Sequence, residues 1–274
     1  MRYIAIAGAS GFVGQALQNT LVNVVVLHRD DSVEILTEKL KYVEVVINLA
    51  GAPIVKRWNE AYKEVLISSR VETTKKLVSA IEKSNVSYFI STSAIGIYPN
   101  DKSYNEFCTE YADDFLAKLC TEWEEVALGC TKPTAILRFG VVLGKEGGAL
   151  SKMLLPFRLG LGGNIDNGKM MTSWIQIDDL MSIYHFLIDT KETGIFNAVT
   201  PHPVDNAIFT KALGKALNRP TLLPLPKQIL KLIYGEASCA LIDSKEVYPK
   251  RLTDKGFKFR YPEINEALEH CIGR

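Results

Sequence analysis

The sequence predicts an α/β fold: a doubly wound parallel sheet carrying a smaller C-terminal α/β lobe. Three observations carry this expectation. Short Val- and Ile-rich runs alternate with helical patterns over the first 140 residues. Glycines at 8, 11 and 14 stand between the first run and the first helical pattern. Beyond about residue 145 the texture becomes Gly- and Pro-rich. Strands alternating with helices are the pattern of βαβ units. The 274 residues suffice for one large domain, or for a domain plus a lobe.

The apolar runs 3–7, 24–28, 43–50, 87–93 and 133–140 read as buried parallel strands, because they are short and lack polar alternation. Helical patterns lie between them at 12–22, 59–84 and 111–128. In the middle one Leu66, Val71, Leu77, Val78 and Ile81 recur near helical spacing. Residues 20–47 are compressed. Eighteen residues separate Arg29 from Asn48, too few for a full strand-helix-strand unit with its loops. Either this half is stripped down or loop residues are missing from it. The expected division is 1–145 for a dinucleotide-binding domain and 146–274 for a substrate-side lobe, with 172–200 returning toward the first domain. Five prolines between 201 and 226 mark irregular connections in the lobe.

Composition narrows the function. With 32 basic and 31 acidic side chains the formal charge is +1, and no basic stripe or acidic tail points to nucleic acid or a membrane surface. No apolar run approaches the ~20 residues that span a bilayer. The strand-like start of the chain predicts no signal peptide. Cysteines 108, 120, 130, 239 and 271 are odd in number and lack CxxC spacing, so reduced thiols and a cytoplasmic setting are expected. Histidines 28, 185, 202 and 270 form no ligand pair, so no metal site is expected. A small-molecule substrate is the expected partner, and a homodimer is left open.

The spacing Gly8, Gly11, Gly14 follows a strand and opens a helix, the context in which it signals a nucleotide site. One glycine permits the tight turn, the next lets the backbone approach a diphosphate, and the last lets helix and sheet pack closely. Free amides at the helix start, here Ser10 to Gly14 with Phe12 and Val13 between them, then face the phosphates. His28 and Arg29 end the second strand. A guanidinium there suits a 2′-phosphate, so NADP(H) is favoured over NAD(H). The other reading is a solvated arginine, with Asp30 or Asp31 taking a ribose hydroxyl instead. Small residues at the third strand's end, Leu49-Ala50-Gly51, permit close approach of a cofactor.

These phrases, with 46–74, "STSAIGIY" (91–98), 113–124, 137–163, "SWIQIDDL" (173–180) and 247–268, resemble the extended short-chain dehydrogenase/reductases, and more closely an atypical NADP-binding epimerase-family subgroup. The resemblance covers the whole chain. It implies a Rossmann-type domain with a small C-terminal lobe. It also implies cofactor contacts at His28, Arg29, Leu49, Ala50, Glu64, Arg70 and Val142. On the residues alone, Arg70 reaches either a phosphate or an acid such as Glu64.

Redox-active members of that superfamily use Ser or Thr with Tyr-x-x-x-Lys. Ser93 matches the serine and Lys118 the lysine, but Asp114 stands where the tyrosine belongs. A carboxylate one helical turn from an ammonium is held ionised and cannot protonate an alkoxide. The pair therefore reads first as a helix-surface ion pair, with a buried Asp base as the alternative. Tyr98 is the better substitute phenol, because Tyr111 precedes Lys118 by seven residues, roughly 10 Å along a helix. Trp174 and Asp179 are placed at the domain junction and Asp178 at a helix cap. Lys152 and Arg158 either hold an anionic substrate or are solvated. The expected activity is an NADP(H)-dependent, epimerase-like oxidoreductase. The alternative is a catalytically inert NADP(H)-binding regulator.

Overall fold

A computed structural model describes residues 3–273. Arg2, at the strand-like start of the sequence, lies outside the described residues. The elements run β1 (Tyr3–Ala7), α1 (Phe12–Thr20), β2 (Val24–Leu27), α2 (Val33–Lys39), β3 (Val43–Asn48), α3 (Glu60–Ile67), α4 (Thr73–Glu82), β4 (Tyr88–Ala94), β5 (Ser103–Tyr104), α5 (Phe115–Leu128), β6 (Thr134–Phe139) and β7 (Val141–Gly144). The chain continues through α6 (Gly148–Arg158), β8 (Met171–Thr172), β9 (Trp174–Gln176), α7 (Ile177–Thr190), β10 (Gly194–Ala198), β11 (Val204–Asp205) and α8 (Asn206–Leu217). It closes with α9 (Lys227–Tyr234), α10 (Cys239–Ile242), β12 (Glu246–Val247), α11 (Lys250–Asp254) and α12 (Ile264–Ile272).

Six strands form one sheet in the order β10-β6-β4-β3-β1-β2, parallel at every pairing. Alternate residues of each strand serve opposite faces. Ile4 and Ile6 join Val45, Ile47 and Ile90 in a core closed by Leu17 of α1 and by Leu180 and Leu187 of α7. Ala5 and Ala7 join Val46, Phe89 and Ile136 in a second core closed by Leu36 of α2, by Leu77 and Ile81 of α4, and by Ala127 of α5. Both faces are thus covered, which explains why the strands read as continuous apolar runs. The lobe has its own core, where α6, α8 and α12 bury Leu154, Phe157, Leu213 and Leu268 around Trp174. Segment 172–200 contributes β10 to the main sheet, beside β6.

The compressed region resolves into a short unit. Asn23, at φ +57°, turns the chain from α1 into β2, and its carbonyl accepts from the Ile4 amide at 3.1 Å. Asn tolerates this left-handed conformation better than most residues. The seven-residue α2 then crosses to β3, leaving β2 as the sheet edge.

The helical pattern over 59–84 is met from Glu60 to Glu82, with a π-helical turn over Ser68–Glu72 joining α3 to α4 and burying three consecutive residues, Ser69, Arg70 and Val71. The wider turn shifts the phase of the inward face, so a simple 3.6-residue reading misplaces the residues beyond it. The helix expected at 111 starts at 115, because the Asp114 carboxylate accepts from the Ala117 amide at 2.9 Å and caps it.

Candidate functional site

The switch point of the sheet lies between β1 and β3, where successive connections leave in opposite directions, and a cleft opens there. It has a volume of about 270 Å³. Of the expected contacts, Gly8, Ser10, His28, Arg29, Ala50 and Gly51 line it.

The floor is built by close backbone approach. Gly8 sits at φ +84°, and a Cβ on it would stand 2.7 Å from the Leu49 carbonyl oxygen. A Cβ on Gly14 would overlap the Gly8 carbonyl oxygen, which accepts from the Gly11 amide at 3.1 Å. These glycines let β1, the β3 end and α1 converge. Gly11 is the N-cap of α1 at φ −75°, and no side chain caps that helix. The N-termini of α2, α3 and α5 differ, since Ser32, Asn59 and Asp114 accept from their first-turn amides. Gly11, Phe12, Val13 and Gly14 do not line the cleft. The Phe12 ring packs under Gly144, Gly147 and Gly148 and ties α1 to the loop after β7. Val13, Leu49 and Val142 pack against the α1–α7 core.

The β2 end carries the charge. Asp31 turns from the cleft: its carboxylate accepts from the His28 amide at 2.8 Å and from Lys39 Nζ at 2.6 Å. Burial raises the Asp31 pKa, but these donors outweigh it and hold the carboxyl below its ordinary value. Neither Asp30 nor Asp31 lines the cleft, whereas Arg29 does. Arg29 is exposed and its side chain makes no hydrogen bond among the described residues.

The β3 end is fixed from beneath. Buried Asn48 donates to Thr74 Oγ1 at 2.8 Å and accepts from the Ala50 amide at 3.1 Å. Trp123 Nε1 also donates to Thr74 Oγ1, at 2.9 Å. Arg70 is buried behind Gly51, and a Cβ on Gly51 would meet its guanidinium at 3.1 Å. Arg70 donates to the Ala52 and Leu66 carbonyls at 2.9 and 3.3 Å and lies over the Trp123 ring at 5.4 Å. No carboxylate pairs with it among the described residues. Burial lowers its pKa from the ordinary arginine value. Exposed Glu64 is therefore not its partner, which corrects that alternative, and Glu64 does not line the cleft. Ser69, Thr73 and Lys76 do line it, and the sequence reading missed them. Their signal is polar residues spaced three and four apart, hidden by the phase shift of the π turn.

The expected acid/base residues do not form a site. Ser93 is buried, and its hydroxyl donates to Glu124 Oε1 at 2.6 Å. Glu124 holds Arg138 at two points, Nε to Oε1 at 2.8 Å and Nη2 to Oε2 at 2.7 Å. Arg138 also donates to the hydroxyls of Tyr98 and Tyr111 at 2.8 and 3.0 Å. Burial works against the Arg138 cation, but Glu124 more than offsets it and holds the pKa above the ordinary arginine value. Tyr98 is fully buried and is not a phenol at a pocket rim. Its hydroxyl donates to Asn197 Oδ1 at 3.0 Å, and burial pushes its pKa up to about 12. A phenol so enclosed is a poor proton donor near neutral pH.

The Asp114–Lys118 expectation is also corrected. Asp114 caps α5, Lys118 is exposed, and the two form no ion pair. The residues of α5 turned toward β4 are Leu116, near Gly96, the buried Cys120, and Glu124, which accepts from Ser93. They lie four apart, two residues out of register with 114 and 118. Neither phenol nor amine stands on that face. Burial pushes the Cys120 thiol up to about 11.

In the lobe, Gln176 rather than Asp178 caps α7, its side chain accepting from the Asp178 and Asp179 amides. Buried Asp179 accepts from the Arg260 and Tyr261 amides at 2.7 and 2.9 Å, pinning the chain before α12. Trp174 is core, and Lys152 and Arg158 are exposed. Among the described residues no group of His, Cys, Asp or Glu is placed to hold a metal, and no helix is long and apolar enough to cross a membrane.

Comparison with known proteins adds the family. Residues 4–198 match the model of the NAD dependent epimerase/dehydratase family, and residues 225–271 match a domain of unknown function, DUF1731. The mouse epimerase family protein SDR39U1 is 34% identical over 290 residues, covering 98% of this chain and 99% of the mouse protein. Epimerase family protein SAR0825 of Staphylococcus aureus (strain MRSA252) is 33% identical over 303 residues, covering 100% of both. The crystal structure of human SDR39U1 (isoform 2) with NADPH superposes with a TM-score of 0.92 at 32% identity, covering 99% of each chain. With its parallel sheet, its glycine turn and this full-length likeness, the chain belongs to the NAD dependent epimerase/dehydratase family.

Proposed function

We propose that the chain binds NADP(H), with the diphosphate against the Gly8–Gly14 turn and the adenosine 2′-phosphate at Arg29. The observation that carries this reading is a cleft walled at one end by the Gly8–Ser10 turn, which leads into the uncapped start of α1, and at its β2 end by Arg29 with its neighbouring acid turned away. These residues fit a phosphorylated dinucleotide: the glycines leave room for phosphate oxygens, and the uncapped start of α1 favours negative charge. The NADPH in the human SDR39U1 structure supports the same assignment. Bound there, NADP(H) supplies a hydride donor or acceptor. Arg70, behind Gly51, adds an unneutralised cation where the β3 end approaches the cleft.

The activity that follows is an epimerase-like oxidoreduction of a small molecule, one that does not draw its proton from a tyrosine on α5. A second reading, an NADP(H)-binding protein without turnover, is favoured by the α5 face itself, which presents Leu116 and Cys120 rather than a phenol and an amine, and by Ser93, which is already engaged. Purified protein titrated with NADPH and then offered a panel of carbonyl compounds separates the two. Saturable binding followed by substrate-dependent loss of the reduced nicotinamide's near-ultraviolet absorbance supports the enzyme, and binding without turnover supports the second reading. Absence of NADPH binding overturns both.

A further inference from the structure

Lys76 belongs to α4, far in sequence from the β2 end, yet it lines the same cleft as Ser10 and Arg29. Its ammonium donates to the Arg29 carbonyl at 2.9 Å and to the Asp31 carbonyl at 3.3 Å. An ammonium has three N–H donors, so one remains at the cleft wall. We propose that Lys76 is a specificity determinant for the 2′-phosphate, acting in two ways. Its third N–H contacts the phosphate directly, and its two carbonyl bonds hold the 28–31 turn with Arg29 inward and Asp31 outward. This rests on the proposed NADP(H) site and extends it to a residue outside the β2 end.

The surrounding groups support the assignment. The Asp31 carboxylate is held by Lys39 Nζ and by the His28 amide, so it does not neutralise Lys76. Thr73, one turn earlier on α4, lines the cleft as well and presents no charge. The 2′-position is thereby bracketed by two cations from different elements. A phosphate dianion is recognised by such a pair, whereas a ribose hydroxyl gains little from it.

The test is binding of NADPH, NADH, 2′,5′-ADP and 5′-ADP to the wild-type chain and to Lys76→Met and Lys76→Arg, by calorimetry or fluorescence. The expected result is about tenfold or greater weakening of NADPH and 2′,5′-ADP in Lys76→Met. NADH and 5′-ADP should stay within about twofold of wild type, and Lys76→Arg should recover most of the loss. Retained NADH binding shows that the variant is folded. Equal weakening of all four ligands would reduce Lys76 to a turn-shaping residue and overturn the proposal, as would no change at all. Wild type binding NADPH and NADH equally would also overturn it while leaving dinucleotide binding intact. Failure of wild type to bind any of the four would instead remove the NADP(H) site.

Discussion

The cleft at the β1–β3 switch point and the buried cluster behind Ser93 both collect polar groups at the C-terminal edge of one sheet, and they treat those groups in opposite ways. Beside the cleft the start of α1 has no capping side chain, and the Arg29 side chain makes no hydrogen bond among the described residues. Around Ser93, the serine, Glu124, Arg138 and Tyr98 satisfy one another and are shut from water. Donors left open to solvent suit a ligand, whereas donors matched inside the protein hold the fold together. A residue type at the family's expected position therefore does not by itself make a catalytic group: Ser93 is the right residue, already engaged.

The comparison breaks most visibly at Glu124. Its Glu124→Ala variant leaves the wholly buried Arg138 without a counter-ion, and removing one partner of a buried pair typically costs about 3–5 kcal/mol. Denaturant unfolding should show that loss, while NADPH affinity, measured where the variant remains folded, should hold near the wild-type value. Arg29→Ala tests the opposite region. Losing a charge-assisted contact should weaken NADPH about tenfold, with NADH affinity and stability unchanged. The smallest effect belongs to Asp114→Ala, which removes a helix cap worth about 1 kcal/mol and should leave NADPH binding unaltered in the same titration.

Much of this was legible in the sequence. The strands, the glycine turn and the small residues ending β3 are local patterns, and local patterns survive in one dimension. The compressed half was visible as a shortage of residues, and the structure meets it with a turn at Asn23 and a seven-residue α2. What was not legible depends on docking. Sequence spacing sets Asp114 and Lys118 one turn apart, but it does not show that Asp114 is spent as the α5 cap or that 116, 120 and 124 are the residues turned toward β4. The enclosure of Tyr98 after the 3₁₀ turn at Ile95–Ile97 is a tertiary fact that spacing does not carry. Lys76 was hidden by the π turn and by its distance in sequence from Arg29.

Gly11 offers the sharpest separation of fold from ligand. Its backbone is in an ordinary conformation at φ −75°, and an added Cβ would meet only the Gly8 carbonyl oxygen, at 3.3 Å. A Cβ there asks the Gly8 carbonyl to give by a few tenths of an ångström, and in the proposed site it stands where the diphosphate would rest. Calorimetric titration of Gly11→Val with NADPH should show binding lost in a protein that melts close to wild type. Unchanged NADPH affinity in the folded variant would contradict a dinucleotide held by bare amides at the head of α1.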